Sequence, residues 1–272
     1  MSWVGADGCD LYYEEAGAGV PILLIPPAGT TAATWGPVTE ELARMGRVIT
    51  YDRRGYARSP SEPVRSISTH TTDAAAILEH LGVAPAVAVG TSAGATIAID
   101  LAVRRPELVQ AVIAHEAAWR ASRHLPNATQ LTALAKIAWL AGRGRYGDAA
   151  DTLLRAAYAY RDGGSAWDGF PDAWRRVGRD NGRAALWDFR NSVGNYPSPA
   201  DLASVTVPVV CSYGARSPRN IVRLTRSLAA AIPTARTHRI EGAGHAAHFD
   251  ATSDFARVVA DVITPGRRPA LG

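Results

Sequence analysis

The stretch that most constrains the fold of this chain is AVAVGTSAGATIAIDLA, which runs from residue 86 to residue 102. Ala86–Val89 is a short apolar run of the kind that forms a buried strand, and Ala93–Arg104 is an alanine-rich segment with the pattern of a helix. A glycine lies two positions to either side of Ser92, where a side chain would block a sharp turn. The pattern therefore predicts a strand that turns abruptly into a helix, with Ser92 at the turn.

The rest of the chain repeats this alternation of short apolar runs and longer amphipathic segments. The predicted strands are Leu11–Glu15, Pro21–Ile25, Arg47–Tyr51, Ala86–Val89, Ala111–His115, Val207–Tyr213 and Arg236–Ile240. The predicted helices are Trp35–Met45, Ser68–Leu81, Ala93–Arg104, Arg219–Ala231 and Thr252–Ile263. Short apolar strands that alternate with helices are typical of a mostly parallel sheet covered on both faces, so the predicted fold class is α/β.

The composition is that of an ordinary globular protein, with 272 residues of which 47% are hydrophobic and 20% charged. Every apolar run is far shorter than the roughly 20 residues that span a bilayer, and no secretory signal is recognisable, so we expect a cytoplasmic protein without a membrane partner. The net charge of +4 is not gathered into a basic stripe, which argues against nucleic acid as a partner. Cys9 and Cys211 do not indicate a disulfide framework or a metal site. The oligomeric state is left open, a homodimer included.

The turn at Ser92 has the chemistry of a nucleophile. A serine hydroxyl on a tight turn above a sheet stands clear of its neighbours and can attack a carbonyl carbon. The N–H of Ala93, at the start of the new helix, is then directed at the oxyanion that forms. A bare G-x-S-x-G also occurs by chance in proteins where the serine has no role, but its position between a strand and a helix favours the catalytic interpretation.

Three further motifs carry a family resemblance. They are LLIPPAGTTAATW at 23–35, ITYDRRGYARS at 49–59 and RIEGAGHAAHFD at 239–250. Together with the Ser92 turn they resemble, in the right order, the motifs of α/β-hydrolase-fold enzymes with a helical cap. The resemblance implies a core domain formed by residues 1–118 and 201–272, with a helical cap of residues 119–200 inserted after the sixth strand. It also implies a serine hydrolase that works with a nucleophile, a base and an acid, without a metal or an organic cofactor.

The oxyanion hole departs from the family pattern. Pro26 and Pro27 stand where the family usually has His-Gly, and neither proline has an N–H to donate. By position, the resemblance therefore assigns the first oxyanion donor to Ala28 and the second to Ala93.

His245 is predicted to be the general base. It follows a glycine in a short loop after the last predicted strand, where the resembling family keeps its catalytic histidine. A histidine in such a loop can reach a serine hydroxyl and pass its proton on. His248 is the rival, but it begins the approach to a helix and is expected to face structure or solvent; His70, His80, His124 and His238 are interpreted as surface or packing residues.

The catalytic acid is missing from its usual place. The family carries an aspartate after the seventh strand, whereas the loop here has Ser217 and no acid. Glu116 follows the neighbouring strand directly, and the His-Glu pair at this strand end resembles hydrolases of the zearalenone-lactonase type. The predicted triad is therefore Ser92, His245 and Glu116. Alternatively, Glu116 could cap the next helix or pair with Arg120; the other acids near the base, Glu241 and Asp250, are expected to lie too close along the chain and to cap the final helix, respectively.

The cap region is rich in aromatic residues, most of which are expected to form its own small core. By resemblance to the lactonase type, Trp187 is predicted to contact the substrate. We expect the enzyme to cleave a carboxylic ester or lactone of a moderately large apolar compound. The alternatives are a carbon–carbon bond hydrolase with the same triad, or a non-catalytic small-molecule receptor on the same fold.

Overall fold

The computed structural model describes residues 2–62, 64, 66–119, 128–191 and 197–263. Eight strands form one sheet: β1 (Ser2–Ala6), β2 (Cys9–Ala16), β3 (Val20–Ile25), β4 (Gly46–Tyr51), β5 (Ala86–Thr91), β6 (Val109–His115), β7 (Val209–Gly214) and β8 (Ala235–Ile240). Their spatial order is β1-β2-β4-β3-β5-β6-β7-β8. The pairs β1·β2 and β2·β4 are antiparallel, and the remaining pairs are parallel. The predicted mostly parallel α/β fold is confirmed.

Twelve α-helical segments lie within the described residues. They are α1 (Gly36–Leu42), α2 (Ile67–Leu81), α3 (Ala93–Arg104), α4 (Ala128–Ala141), α5 (Tyr146–Ala157), α6 (Ala166–Gly169), α7 (Asp172–Asp180), α8 (Gly182–Asn191), α9 (Pro199–Ala203), α10 (Arg219–Ala231), α11 (Ala247–Asp250) and α12 (Thr252–Ile263). The helix predicted over Trp35–Met45 is shorter than expected. It begins at Gly36, after a short 3₁₀ turn, because Pro37 suits the first turn of a helix.

The edge strand β1 was not predicted from the sequence. Its five residues include Gly5 and alternate between exposed and buried positions, with Trp3 51% exposed. A strand this short carries little apolar signal of its own. It is held by antiparallel pairing with β2 through a tight turn at Asp7 and Gly8, which both have positive φ.

The central strands are buried on both faces. Alternate residues, such as Leu23 and Ile22, point to opposite sides of the sheet and join two separate apolar cores. The first core includes side chains of α2, α3 and α10, and the second includes side chains of α1 and α12. Because both faces of the sheet are covered, these strands are apolar along their length. The carboxyl ends of the parallel strands meet at one edge of the sheet.

The helices α4 to α8 lie in the chain between β6 and β7. Tyr158, Trp167 and Phe170 form an apolar cluster with Ala246 and Phe249, which belong to the segment that follows β8. The inserted helices therefore pack over the carboxyl ends of the strands. The boundaries of the cap, 119–200, stay a prediction; residues 120–127 and 192–196 of that range lie outside the described residues.

Across the ranges given above, no helix is both long and apolar enough to cross a membrane.

Candidate active site

Ser92 lies on a strained turn between β5 and α3. Its backbone has φ 56° and ψ −119°, a region that residues with side chains rarely occupy. A Cβ on Gly90 would overlap the backbone of Gly94, and a Cβ on Gly94 would overlap the carbonyl of Ile25. The turn can therefore form only because both flanking positions are glycine. Ser92 remains partly exposed, whereas the residues on either side of it are buried.

His245 and Glu116 meet although they lie 129 positions apart. The distance from His245 Nδ1 to Glu116 Oε2 is 2.8 Å, and both side chains are largely buried. An ionised carboxylate only accepts hydrogen bonds, so Nδ1 of His245 donates, and in the neutral imidazole the lone pair is then on Nε2. This tautomer is the one that a general base needs.

The Glu116 carboxylate is held in its ionised form by its neighbours. Its Oε1 accepts hydrogen bonds from the Gly214 N–H, at 2.9 Å, and from the Ser217 hydroxyl. Burial by itself raises the pKa of the Glu116 carboxyl, but the hydrogen bond from His245, the nearby imidazoles and the Ser217 hydroxyl outweigh it and lower that pKa to about 2. Ser217, which occupies the loop where the family has its acid, thus donates to a carboxylate that comes from the neighbouring strand.

The backbone at Glu116 is also unusual. Its φ is 46°, and its N–H donates to the carbonyl of Ser212 on β7 at 3.0 Å. The chain therefore leaves β6 in a left-handed conformation that a glutamate rarely adopts. The alternative partner Arg120 lies outside the described residues.

The loop that carries His245 is supported from two sides through Gly244. His115 Nε2 donates to the Gly244 carbonyl at 3.1 Å, and the Gly244 N–H donates to Asp250 Oδ2 at 2.8 Å. Burial lowers the pKa of His115, which favours its neutral form. Asp250 also accepts from the Tyr160 hydroxyl at 2.6 Å, so it links this loop to the cap region.

The prediction that Asp250 caps the final helix is wrong. The helix α12 begins two residues later, at Thr252, and both carboxylate oxygens of Asp250 are bonded to Gly244 and Tyr160. The position of Asp250 just before the helix suggested a capping role, but the loop folds back and places the Gly244 N–H against the carboxylate.

The other candidates for base and acid have different surroundings. His248 is fully buried with its ring 4.8 Å from that of Trp35, and burial lowers its pKa to about 3. Glu241 pairs with Arg239 at the surface, at 3.1 Å. His70, interpreted as a surface or packing residue, is 98% buried and contacts Asp188 through Nε2 at 3.3 Å.

Ala28 lies in the loop after β3, and Ala93 is the first residue of α3. Because Ile25 pairs with Gly90 across β3 and β5, the segments that follow these two strands are neighbours. The loop is tied internally by the Thr30 hydroxyl, which donates to the Pro27 carbonyl at 3.0 Å. The arrangement puts the two predicted oxyanion donors on the segments beside Ser92.

The aromatic side chains of the inserted region mostly pack with one another and against His245. The ring of Tyr158 lies 5.3 Å from that of His245 and contacts Trp167 and Phe170. Trp187 on α8 is half-buried, and the Arg190 guanidinium lies 5.9 Å from its ring. Its contact with a substrate stays a prediction. Among the described residues no group of three or more His, Cys, Asp or Glu side chains is placed to hold a metal ion.

Two parts of the site were not found from the sequence. The hydrogen bond from Ser217 to Glu116 had no sequence signal, because a serine in a loop is unremarkable in itself. Asp188 likewise had no sequence signal, because it is a charged residue in a polar helix. In the structure its side chain is 93% buried. Only its position next to Trp187 could have drawn attention to it.

Curated proteins similar to this chain match it over part of its length. The protein named Uncharacterized hydrolase YraK from Bacillus subtilis is 39% identical over 113 residues, which are 40% of this chain and 41% of that protein. The Putative carbamate hydrolase RutD from Azorhizobium caulinodans is 39% identical over 113 residues, 41% of this chain and 43% of the relative. The chain thus spans about two-fifths of the length of the curated relatives it matches.

Solved structures match almost the whole chain. Est816, described as an N-acyl homoserine lactone degrading enzyme, is 25% identical with a TM-score of 0.76, covering 95% of this chain and 99% of that one. The enol-lactonase from Burkholderia xenovorans has the same TM-score at 20% identity, covering 96% and 99%. The second likeness concerns the fold alone.

The family model described as alpha/beta hydrolase fold matches residues 20–252, which include the Ser92 turn, Glu116, the inserted helices and the His245 loop. The resemblance inferred from the motifs is therefore confirmed, and this chain belongs to the α/β-hydrolase-fold family.

Proposed function

We propose that this protein is a serine hydrolase that cleaves a carboxylic ester or a lactone through an acyl-enzyme. The observation that carries the proposal is the 2.8 Å hydrogen bond between His245 and Glu116 at the strand edge where Ser92 sits on its strained turn. A buried histidine with an ionised partner on Nδ1 is prepared to take a proton on Nε2.

In the proposed reaction Ser92 Oγ attacks the carbonyl carbon while His245 Nε2 removes the hydroxyl proton. Glu116 stabilises the imidazolium, and the N–H groups of Ala28 and Ala93 bind the oxyanion. The imidazolium then gives its proton to the leaving alkoxide, which departs as the alcohol. Water, deprotonated by His245, attacks the acyl-enzyme and releases the carboxylic acid and free Ser92.

The surroundings of the site support the proposed substrate class. The inserted helices supply aromatic side chains next to His245, which favours a moderately large apolar acyl or alcohol group. The lactone-degrading activity in the description of Est816, at 25% identity over nearly the full chain, supports the same class. A cyclic ester would keep its alcohol tethered to the acyl-enzyme until hydrolysis.

The test is hydrolysis of p-nitrophenyl esters of increasing chain length and of a set of macrolactones. We compare wild type with Ser92→Ala and with the matched control Ser253→Ala, whose serine is on α12 and bonds Glu41. A fluorophosphonate probe, with the labelled residue located by mass spectrometry, reports reactivity without needing the natural substrate.

We expect the probe to label Ser92, and turnover to be lost in Ser92→Ala and kept in Ser253→Ala. Labelling of another residue, or turnover that survives in Ser92→Ala, contradicts the proposal. A wild-type protein that neither hydrolyses the panel nor reacts with the probe supports the non-catalytic receptor instead.

A further inference from the structure

Residues 26–31 form the loop after β3 that carries Ala28, and we call it the oxyanion loop. Four buried side chains form a charged cluster beside it, which we name the Asp188 cluster: Arg53, Tyr56, His70 and Asp188. Asp188 Oδ2 accepts from Arg53 Nη2 and from the Tyr56 hydroxyl, each at 2.6 Å. His70 Nε2 contacts the other oxygen of Asp188 at 3.3 Å. All four side chains are at least 93% buried.

The members of the cluster come from different parts of the fold. Arg53 and Tyr56 follow β4, His70 is on α2, and Asp188 is on α8, one of the helices inserted between β6 and β7. Arg53 and Asp188 are 135 positions apart in the sequence. The inserted helices therefore supply the anion that neutralises a fully buried arginine of the core. Burying such a charge is tolerated only with a partner of this kind.

The cluster contacts the oxyanion loop on both sides of Ala28. Arg53 Nη2 donates to the Pro27 carbonyl, and the Gly29 N–H donates to the Tyr56 hydroxyl, both at 3.3 Å. The Tyr56 hydroxyl can accept this bond because its own proton goes to Asp188, which as a carboxylate only accepts. Both links to the loop thus depend on the same carboxylate.

The Pro27 carbonyl and the Ala28 N–H belong to one peptide group. A trans peptide is planar, and its C=O and N–H point in opposite directions. Since the carbonyl is held by Arg53 and by the Thr30 hydroxyl, the Ala28 N–H must point away from the cluster. Pro26 and Pro27 offer no other N–H for the hole, so the orientation of this one peptide matters.

We propose that Asp188 is a positioning residue for the oxyanion hole, acting through Arg53 and Tyr56 on the peptide that carries the Ala28 N–H. This inference rests on the proposed function, because the oxyanion is the species that the N–H would bind. It couples the inserted helices to catalysis: the first donor of the hole is correctly oriented when α8 is docked. If the cluster only held α8 against the core, removing its hydrogen bonds would lower the stability of the protein and leave kcat unchanged.

The first readout is steady-state kinetics of Asp188→Asn against Asp162→Asn. Asp162 also joins the inserted region to the core, through an exposed ion pair with Arg216, and its side-chain bonds to described residues are with Arg216 rather than with the oxyanion loop. Complete loss of an oxyanion donor costs roughly 10²- to 10³-fold in kcat, so a misdirected donor should cost at least about tenfold. We expect that loss in Asp188→Asn with KM changed by less than about threefold, and near wild-type values in the control.

Tyr56→Phe is the second variant, because it keeps the Arg53–Asp188 ion pair and removes the two hydrogen bonds of the Tyr56 hydroxyl, the one to Asp188 and the one from Gly29. If Asp188→Asn does not fold, as judged by circular dichroism, this variant still tests the mechanism. We expect a smaller fall in kcat, about three- to tenfold, again without a matching rise in KM.

The second readout does not need activity. In protein labelled with [¹⁵N]alanine, the amide resonance of Ala28 is identified by its absence from Ala28→Gly. It should shift in Asp188→Asn and in Tyr56→Phe and stay in place in Asp162→Asn. If wild type hydrolyses no ester, the proposed function fails while this spectrum still decides the positioning role.

The inference is overturned by either of two results. One is an Ala28 resonance that does not move in the two cluster variants. The other is a kinetic effect confined to KM, or no larger than that of Asp162→Asn, which would assign Asp188 to docking of the inserted helices alone.

Discussion

The carboxylate that the family pattern places after β7 is exchanged here for one at the end of the neighbouring strand β6. The loop after β7 contributes Ser217 as a hydrogen-bond donor, and the end of β6 contributes the carboxylate of Glu116. The exchange works because β6 and β7 are parallel neighbours, with His115 paired to Ser212, so both strand ends reach the His245 loop. Glutamate has one methylene more than aspartate, which extends the carboxylate from this neighbouring position to the imidazole.

The first prediction concerns the carboxylate itself. Glu116→Gln should lower kcat by roughly 10⁴-fold, because the amide cannot stabilise the imidazolium and would favour the wrong tautomer of His245. The measurement is kcat on the best ester of the panel, with circular dichroism to show that the variant is folded. A loss of less than about tenfold would assign the acid to another residue.

The second prediction concerns pH and Ser217. The pKa of Glu116 is depressed in the folded protein, so its ionisation contributes stability above the unfolded pKa of roughly 4.5, and this contribution is lost as the pH falls toward about 2. Ser217→Ala removes a donor to the charged form and raises the folded pKa. We expect it to lower the free energy of unfolding by about 1–2 kcal/mol at pH 7, and by much less at pH 2.

Urea unfolding midpoints at the two pH values measure this difference. Ser204→Ala is the control, since its exposed hydroxyl bonds only the Asp201 carbonyl among the contacts of the described chain. Equal destabilisation by Ser217→Ala at both pH values would mean that its hydroxyl does not act through the ionisation of Glu116.

At the scale of elements, the segment between β8 and α12 is held by contacts with two other parts of the chain. Gly244 is bonded through its carbonyl to His115 and through its N–H to Asp250, and its Cα faces the ring of Tyr160. Tyr160, which belongs to the inserted region, donates its hydroxyl proton to Asp250. The loop that carries His245 is therefore held by β6 and by the region inserted between β6 and β7 together.

The third prediction separates this support from catalysis. Asp250→Asn should lower kcat by about tenfold at most, because the amide oxygen can still accept from the Gly244 N–H while the bond from Tyr160 is weakened. The measurement is kcat of Asp250→Asn and of Glu116→Gln on the same ester. A loss in Asp250→Asn that equals the loss in Glu116→Gln would show that Asp250 takes part in the triad.

At the scale of the whole molecule, a second buried ion pair connects the β1–β2 turn, at the antiparallel edge of the sheet, to α2. Arg54 Nη2 lies 2.6 Å from Asp73 Oδ1 on α2, and Nη1 of the same guanidinium donates to the carbonyl of Asp7 in the β1–β2 turn at 2.9 Å. The pair links the terminal hairpin to a helix that packs under the central strands. Among the described residues its hydrogen bonds reach only Ala6 and Asp7 outside the pair, so we expect it to matter for stability alone.

The fourth prediction follows from that burial. Asp73→Ala leaves the Arg54 charge buried without its partner and should lower the free energy of unfolding by about 3–5 kcal/mol. Asp148→Ala, which breaks an exposed pair with Arg145, should cost less than about 1 kcal/mol. Chemical denaturation of both variants measures the difference, and similar costs would show that solvent reaches the Arg54–Asp73 pair.

Much of the fold could be predicted because its signals are local. The strands β3 to β7 are mostly apolar and buried, and the Ser92 turn is specified by two glycines that are needed where backbone segments touch. The strand β1 was missed because five residues at an edge carry almost no apolar pattern. The role of Asp250 was misjudged because a position just before a helix says nothing about which N–H folds back onto the carboxylate.

The sequence by itself determined the α/β class, the order of the elements and the candidates Ser92, His245 and Glu116, since these follow from periodicity and from short motifs. Only the tertiary structure decided that Ser217 donates to Glu116, that Asp250 holds Gly244 and that Asp188 neutralises Arg53. The contact of Ser217 with Glu116 and that of Arg53 with Asp188 join residues 101 and 135 positions apart, so they depend on which strand ends and helices become neighbours, and the contact of Asp250 with Gly244 depends on how the loop between them folds back. That arrangement is set by the packing of both faces of the sheet and of the inserted helices, and no local pattern records it.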